Sequence, residues 1–289
     1  MFRGKVMKDD APSFTALGPA LLQAVHQVLD DSPRILTDPV AVGFVDGSSE
    51  REILDNREGF QSPFLRTLRS NFVLRTRYAE DCLAESPPSV VQYVILGAGL
   101  DTFAYRQPPS AKHLRIFEVD HPATQRWKRE RLGKVGIGAP PNLVYAPIDF
   151  ERSSLAHALG DATFDAEIPT FVSWLGVTQY LTVQAIDQTL EYVASLPPSS
   201  QIVFTFVLPD EALDPDDAQV NAIGASVAAA RGEPWITRLE PSSLSKRLRS
   251  LGFSSTYPLT AADAQTRYYS GRTDGLTVPS IEQLMRATV

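Results

Sequence analysis

The chain has 289 residues, enough for one α/β domain with extensions, and its 43% hydrophobic and 21% charged residues are those of an ordinary globular protein. Lys plus Arg number 27 against 34 Asp plus Glu, a formal net charge of -7; this argues against nucleic acid or a membrane as partner, since basic patches supply most of the attraction to both. A single cysteine excludes an intrachain disulfide, no apolar run approaches the roughly 20 residues of a membrane helix, and residues 1–10 lack the apolar core of a secretory signal, so a cytoplasmic protein is expected.

Leu17, Leu21, Leu22, Val25, Val28 and Leu29 recur at helical spacing. A turn-rich stretch follows through Asp38-Pro39 and Asp46-Gly47. A second helix is predicted from about Pro63 to Glu85, with Phe64, Leu68, Phe72, Ala79 and Cys82 on its apolar face. Arg75 falls on that same face, where a guanidinium needs an anion: a structural Asp or Glu, or a ligand carboxylate. Arg77 shares the opposite face with Glu80 and Asp81 and reads as a solvated pair. Cys82 reads as a buried structural thiol.

From residue 90 strands and helices alternate. Val90 to Leu96 is an apolar run ending in glycines, which suits a strand buried on both faces. Leu114–Asp120, Asn142–Ala146, Thr170–Leu175 and Gln201–Leu208 read as further strands. Helices are predicted from Pro122 to about Leu132 and over Val183–Val193, and such alternation predicts a mostly parallel, doubly wound sheet. An acidic start at Pro209–Asp217 and the alanine-rich segment Ala218–Ala230 interrupt the rhythm and read as a helical insertion over the carboxyl edge of the sheet. A helix at Pro241–Leu251, a strand at Phe253–Leu259 and a tail with Arg267-Tyr268-Tyr269 complete the pattern. One domain over 1–289 is therefore expected: a helical extension (1–88), a ligand-binding core (89–208), a lid (209–240) and a C-terminal part (241–289).

Gly97 and Gly99 follow a buried strand and precede a helix, where bare backbone admits a ligand and leaves N–H groups free. A tight turn would read the same way. The next residues discriminate: the third position of a dinucleotide-type G-x-G-x-x-G is Thr102 here, and Asp101 stands before it. A carboxylate in this loop would repel a pyrophosphate and suits the cationic methionine end of S-adenosylmethionine. Glu118 and Asp120 lie 21 and 23 residues after Gly97 and share one strand face, so either can accept the ribose hydroxyls, while Asp120 can also cap the helix opened by Pro122. Asp149-Phe150 offers a carboxylate and a ring for adenine. The four histidines, at 26, 113, 121 and 157, have no metal-ligand spacing, and no metal is expected.

Tyr93-Val94-Ile95-Leu96-Gly97-Ala98-Gly99-Leu100-Asp101-Thr102 with Arg106, and Phe117-Glu118-Val119-Asp120-His121-Pro122 with Lys128, resemble motifs of the leucine carboxyl methyltransferase family, which includes bacterial O-methyltransferases of polyketide biosynthesis. The resemblance extends through Asp38-Pro39, Arg75-Thr76-Arg77, Trp174 to Thr182, and the tail to Gly275-Leu276. It implies a class I, seven-stranded sheet and S-adenosyl-L-methionine as cofactor, with Arg75, Gly97, Ala98, Gly99 and Asp101 at the methionine moiety, Asp120 at the ribose and Asp149-Phe150 at the adenine. The family often has Glu before the Gly-Val of its fourth-strand motif. Leu175 stands there instead, so the position should still line the cofactor site but lose a contact.

A small-molecule acceptor is expected, carrying a carboxylate, which needs no base, or an acidic hydroxyl. Tyr180, Tyr268, Tyr269 and Arg272 are candidates for its pocket, or else packing and surface residues. A monomer is favoured. Rival readings are an NAD-dependent oxidoreductase, against which Thr102 speaks, and a non-catalytic module of the same fold.

Overall fold

The computed structural model describes residues 14–149, 153–213 and 215–289. Helix α1 (Phe14–Leu29) is followed by loops, α2 (Glu50–Asp55), the short α3 (Arg57–Phe60) and α4 (Pro63–Ala84), which Pro63 opens from its first turn. β1 (Gln92–Leu96) leads to the single turn α5 (Phe103–Arg106), then β2 (Arg115–Asp120), α6 (Pro122–Lys134) and β3 (Leu143–Pro147). α7 (Leu155–Asp161), β4 (Thr170–Trp174), α8 (Val183–Ala194) and β5 (Gln201–Phe206) continue the alternation. After α9 (Pro215–Ala230) come α10 (Pro241–Ser250), β6 (Ser255–Pro258), the short α11 (Ala261–Ala264) and β7 (Gln283–Thr288).

The strands form one seven-stranded sheet in the order β3-β2-β1-β4-β5-β7-β6. β1 to β5 are parallel, and β7 runs antiparallel between β5 and β6. This is the doubly wound, mostly parallel sheet that the alternation predicts, with the seven strands of the class I arrangement that the resemblance implies. β7 is the strand whose position the sequence does not reveal.

β1 explains why the sheet is covered twice. Tyr93 and Ile95 pack with Val73, Leu74 and Tyr78 of α4, whereas Val94 and Leu96 pack with Ile186 and Leu190 of α8 and Leu244 and Leu248 of α10. Alternate side chains thus enter two different cores, and neither face of the strand can be polar. A third cluster seats Ala20 of α1 against Leu100 of the glycine loop and Leu132 of α6. It brings the N-terminal helix to the carboxyl edge of the sheet. Chain order reverses there between β1 and β4, which opens a crevice. No helix among the described residues is long and apolar enough to cross a membrane.

Candidate active site

The crevice is a cavity of about 560 Å³. Its floor is the loop after β1. Gly97 and Gly99 both take positive φ, 63° and 48°. A Cβ on Gly97 would lie 2.6 Å from Val177 Cγ2, and one on Gly99 would lie 3.3 Å from Ala16 Cβ. Glycine is therefore required twice over, by backbone conformation and by the closeness of the wall behind it. Ala98 donates its N–H to Val119 O at 3.1 Å, which ties the loop to β2.

Asp120 fixes the same loop from the next strand. One carboxylate oxygen accepts Gly99 N–H at 2.5 Å and the other accepts His121 N–H at 2.6 Å. Burial pushes this carboxyl above its ordinary range, against the pull of those two amides. Each oxygen keeps a lone pair that a ribose hydroxyl can use. The helix cap anticipated for Asp120 belongs to His121, whose Nδ1 accepts Ala123 N–H at 3.2 Å.

Glu118 does not reach the cavity. It is fully buried, accepts a hydrogen bond from Lys128 Nζ at 2.7 Å, and burial raises its carboxyl to about 7. The alternative of a ribose contact through Glu118 is thereby corrected. Its strand face is that of Asp120, but one pleat earlier the face is covered by α6.

Arg75 lines the opposite wall. Nη1 donates to Glu282 Oε2 at 2.7 Å, and the guanidinium lies 4.7 Å from the centre of the Phe72 ring. Side-chain exposure is 12% for Arg75 and 4% for Glu282, so the pair is almost dry. Nη1 is the only nitrogen of this guanidinium with a protein partner among the described residues. Gly176, at φ 72°, presses on it from the turn after β4: a Cβ there would meet Nη1 at 2.5 Å. Leu175, Tyr180, Pro234 and Ile236 close the remaining side.

A family model for leucine carboxyl methyltransferases matches residues 16–194, which span α1 to the end of α8. The chain belongs to this family. The Bacillus subtilis (strain 168) protein named "Putative S-adenosyl-L-methionine-dependent methyltransferase YktD" is 32% identical over 295 residues, covering 94% of this chain and 96% of that protein. A Mycolicibacterium vanbaalenii relative with the same description, without the YktD name, is 32% identical over 186 residues, 63% of this chain and 55% of the relative. Among solved structures, a Thermobifida fusca YX protein superposes with a TM-score of 0.58 at 16% identity, covering 97% of this chain and 95% of that one. A duf574 family protein from Streptomyces avermitilis gives 0.53 at 14% identity, covering 92% and 96%. The chain is an S-adenosylmethionine-dependent methyltransferase, which disposes of the oxidoreductase reading.

The cleft of this methyltransferase fits its cofactor. Three glycines leave the walls bare, the Nη2 and Nε of a half-used guanidinium face no protein acceptor among the described residues, and a carboxylate stands at the end of β2. Of the residues read from the sequence, the cavity brings together Arg75, Gly97, Ala98, Gly99, Asp101, Asp120, Leu175 and Tyr180. Asp101 also caps the turn after the loop by accepting Phe103 N–H at 2.8 Å. The lining reaches Ile148, one residue before Asp149, while Phe150 lies outside the described residues.

Three acceptor candidates sit elsewhere. Tyr269 is buried in the core under α4 and shares a 2.7 Å hydrogen bond with Ser70 Oγ. Tyr268 donates to Asp81 Oδ2 at 2.8 Å. Arg272 pairs with Asp274 and donates to Pro33 O at 2.7 Å. All three tie the C-terminal tail to α4 and to the loop after α1, away from the cavity.

Thr102 has a role that the glycine comparison does not suggest. It is buried, donates to Asp38 Oδ2 at 2.5 Å and accepts from Arg106 Nε at 2.9 Å. Asp38 in turn accepts the Val40 and Ala41 amides, so the early Asp-Pro turn anchors the loop after β1. Arg77 pairs with Asp81 at 2.8 Å, as helical spacing indicates. Cys82 is fully buried, with its thiol pushed up to about 11 by burial, which suits a structural role. Glu282 is the site residue that sequence reasoning missed. It stands just before β7, which runs antiparallel to β5 and therefore starts at the carboxyl edge of the sheet. No metal-binding group occurs among the described residues.

Proposed function

We propose that this methyltransferase carries the cofactor's methyl group to a carboxylate or an acidic hydroxyl of a small molecule, with Arg75 at the cofactor's carboxylate, Asp101 toward its ammonium and Asp120 at its ribose. The bound cofactor supplies a methyl carbon already activated by sulfonium. The protein has to align the acceptor and exclude water. The observation that carries the reading is the make-up of the acceptor side, where Leu175, Tyr180, Pro234 and Ile236 stand with one carboxylate, Glu233. Tyr180 is held protonated by burial, which raises its phenol, so it donates a hydrogen bond and does not act as a base. His121 has Nδ1 committed to capping α6. An acceptor that arrives ionised, or a hydroxyl acidic enough to give its proton to a carboxylate such as Glu233, suits such a wall; an unactivated alcohol does not. The segment after α9 contributes Gly232, Pro234 and Ile236 to this side and serves as its lid.

The test is transfer of radiolabelled methyl from the cofactor to a panel of carboxylic acids, phenols, alkyl alcohols and amines. Label that is released as methanol in mild alkali marks a carboxyl ester, and alkali-stable label on a phenol marks an ether. Transfer confined to amines or alkyl alcohols would overturn the proposal.

A further inference from the structure

Glu282 is the hub of a hydrogen-bonded chain that leaves the cofactor wall and ends in the lid. Its Oε2 accepts Arg75 Nη1 at 2.7 Å and Asn71 Nδ2 at 2.8 Å, and its Oε1 accepts Gln179 Nε2 at 3.2 Å. The backbone carbonyl of Gln179 accepts Ile236 N–H at 2.7 Å and Thr237 N–H at 3.3 Å. Thr237 Oγ1 donates to Leu181 O at 2.5 Å. Asn71, Gln179 and Glu282 are buried, at 2%, 3% and 7% exposure, so water competes little for these bonds. Gln179 Oε1 is buried with no partner, which makes the amide's single bond to Glu282 the one that orients it.

We propose that Gln179 and Glu282 are positioning residues that couple occupancy at Arg75 to the ordering of the lid segment 232–237. The inference rests on the reading that Arg75 receives the cofactor's carboxylate. In the empty cleft Glu282 balances the guanidinium alone. A second carboxylate on the free nitrogens of Arg75 divides that positive charge between two anions. Glu282 Oε1 then becomes a stronger acceptor for its longest bond, the one to Gln179. A fixed Gln179 presents one carbonyl to two lid amides and sets Tyr180, the next residue, in the cavity wall. Acceptor-side order thus follows cofactor binding.

Hydrogen–deuterium exchange of segment 232–237, with and without saturating S-adenosylhomocysteine, tests this, with affinities measured separately by calorimetry. Wild type is expected to slow by about threefold or more when loaded, as local opening is suppressed. Gln179→Met, which keeps length but loses the amide, is expected to bind the ligand within about threefold of wild type and to show no slowing. Glu282→Gln keeps a bond to a reversed Gln179 amide but removes the charge that responds to the ligand's carboxylate, so it is expected to fold and, at saturating ligand, to lose most of the slowing. Equal slowing in wild type and Gln179→Met, full wild-type slowing kept in Glu282→Gln, or a wild type that binds without slowing would each overturn the coupling. The wild-type and Glu282→Gln arms decide it even if Gln179→Met fails to fold. A wild type that does not bind S-adenosylhomocysteine at all would instead overturn the cofactor reading beneath it.

Discussion

At the scale of single residues, Arg75 shows how far sequence phase can go. Its place on the apolar face of α4 demands an anion, and that much is legible. Which anion is not, because Glu282 comes 207 residues later in the chain. The structure supplies the structural partner and still leaves guanidinium nitrogens facing the cavity, so the two alternatives are compatible. One consequence differs from a lone buried cation: Arg75→Met strands Glu282 with only Asn71 and Gln179 as donors. It should lower stability by about 1–3 kcal/mol in chemical denaturation, and Arg75→Met/Glu282→Gln should recover part of that loss. Gly176→Ala probes the same wall from the turn after β4. It forces alanine to φ 72° and places a methyl against Arg75, so a loss of about 1–3 kcal/mol in stability and weaker S-adenosylhomocysteine binding are expected. Wild-type behaviour of this variant in both melts and calorimetry would show that the guanidinium is not held where the structure puts it.

At the scale of elements, β1 to β5, α6 and α8 were legible: the strands from their apolar residues, α8 from its apolar face and α6 from the proline that opens it, whereas the short α7 (Leu155–Asp161) was not. Nor was β7. Its sequence, Gln283 to Thr288, carries a glutamine, an arginine and a threonine in six residues and no apolar run, and it becomes a strand because β5 and β6 lie open on either side. α2 was legible in principle, since Ser49 and Glu52 form a capping box. Tyr268, Tyr269 and Arg272, read as acceptor-pocket candidates or else as packing and surface residues, lie away from the cavity: tyrosines and arginines serve equally well to tie a tail to a helix, and nothing local distinguishes the two uses.

The β2–α6 contact carries a pH prediction. Glu118 is raised by burial from 4.5 to about 7, despite Lys128 beside it. The folded state therefore holds a proton that the unfolded chain has already lost. The associated stability is complete below 4.5 and disappears as pH rises through about 7. The double variant Glu118→Gln/Lys128→Met removes this titration without stranding either charge. Its Tm relative to wild type should climb between pH 4.5 and 7 and then level off. A Tm difference that is flat across that window would show that Glu118 stays ionised when folded.

At the scale of the whole molecule, the doubly wound sheet, the cofactor loop and the enzyme class follow from spacing and resemblance, while the acceptor does not, because its wall is assembled from β4, the turn after it and the segment after α9. The central claim is that the cofactor spans the crevice with its carboxylate on Arg75 and its ribose on Asp120. Calorimetric titration of wild type and Arg75→Met with S-adenosylhomocysteine and with methylthioadenosine, which lacks the carboxylate, tests it most directly. The account predicts that Arg75→Met loses about 1.5–3 kcal/mol, roughly 10- to 150-fold, toward S-adenosylhomocysteine, and that the two proteins bind methylthioadenosine equally. Equal losses toward both ligands, or no loss toward either, would contradict it.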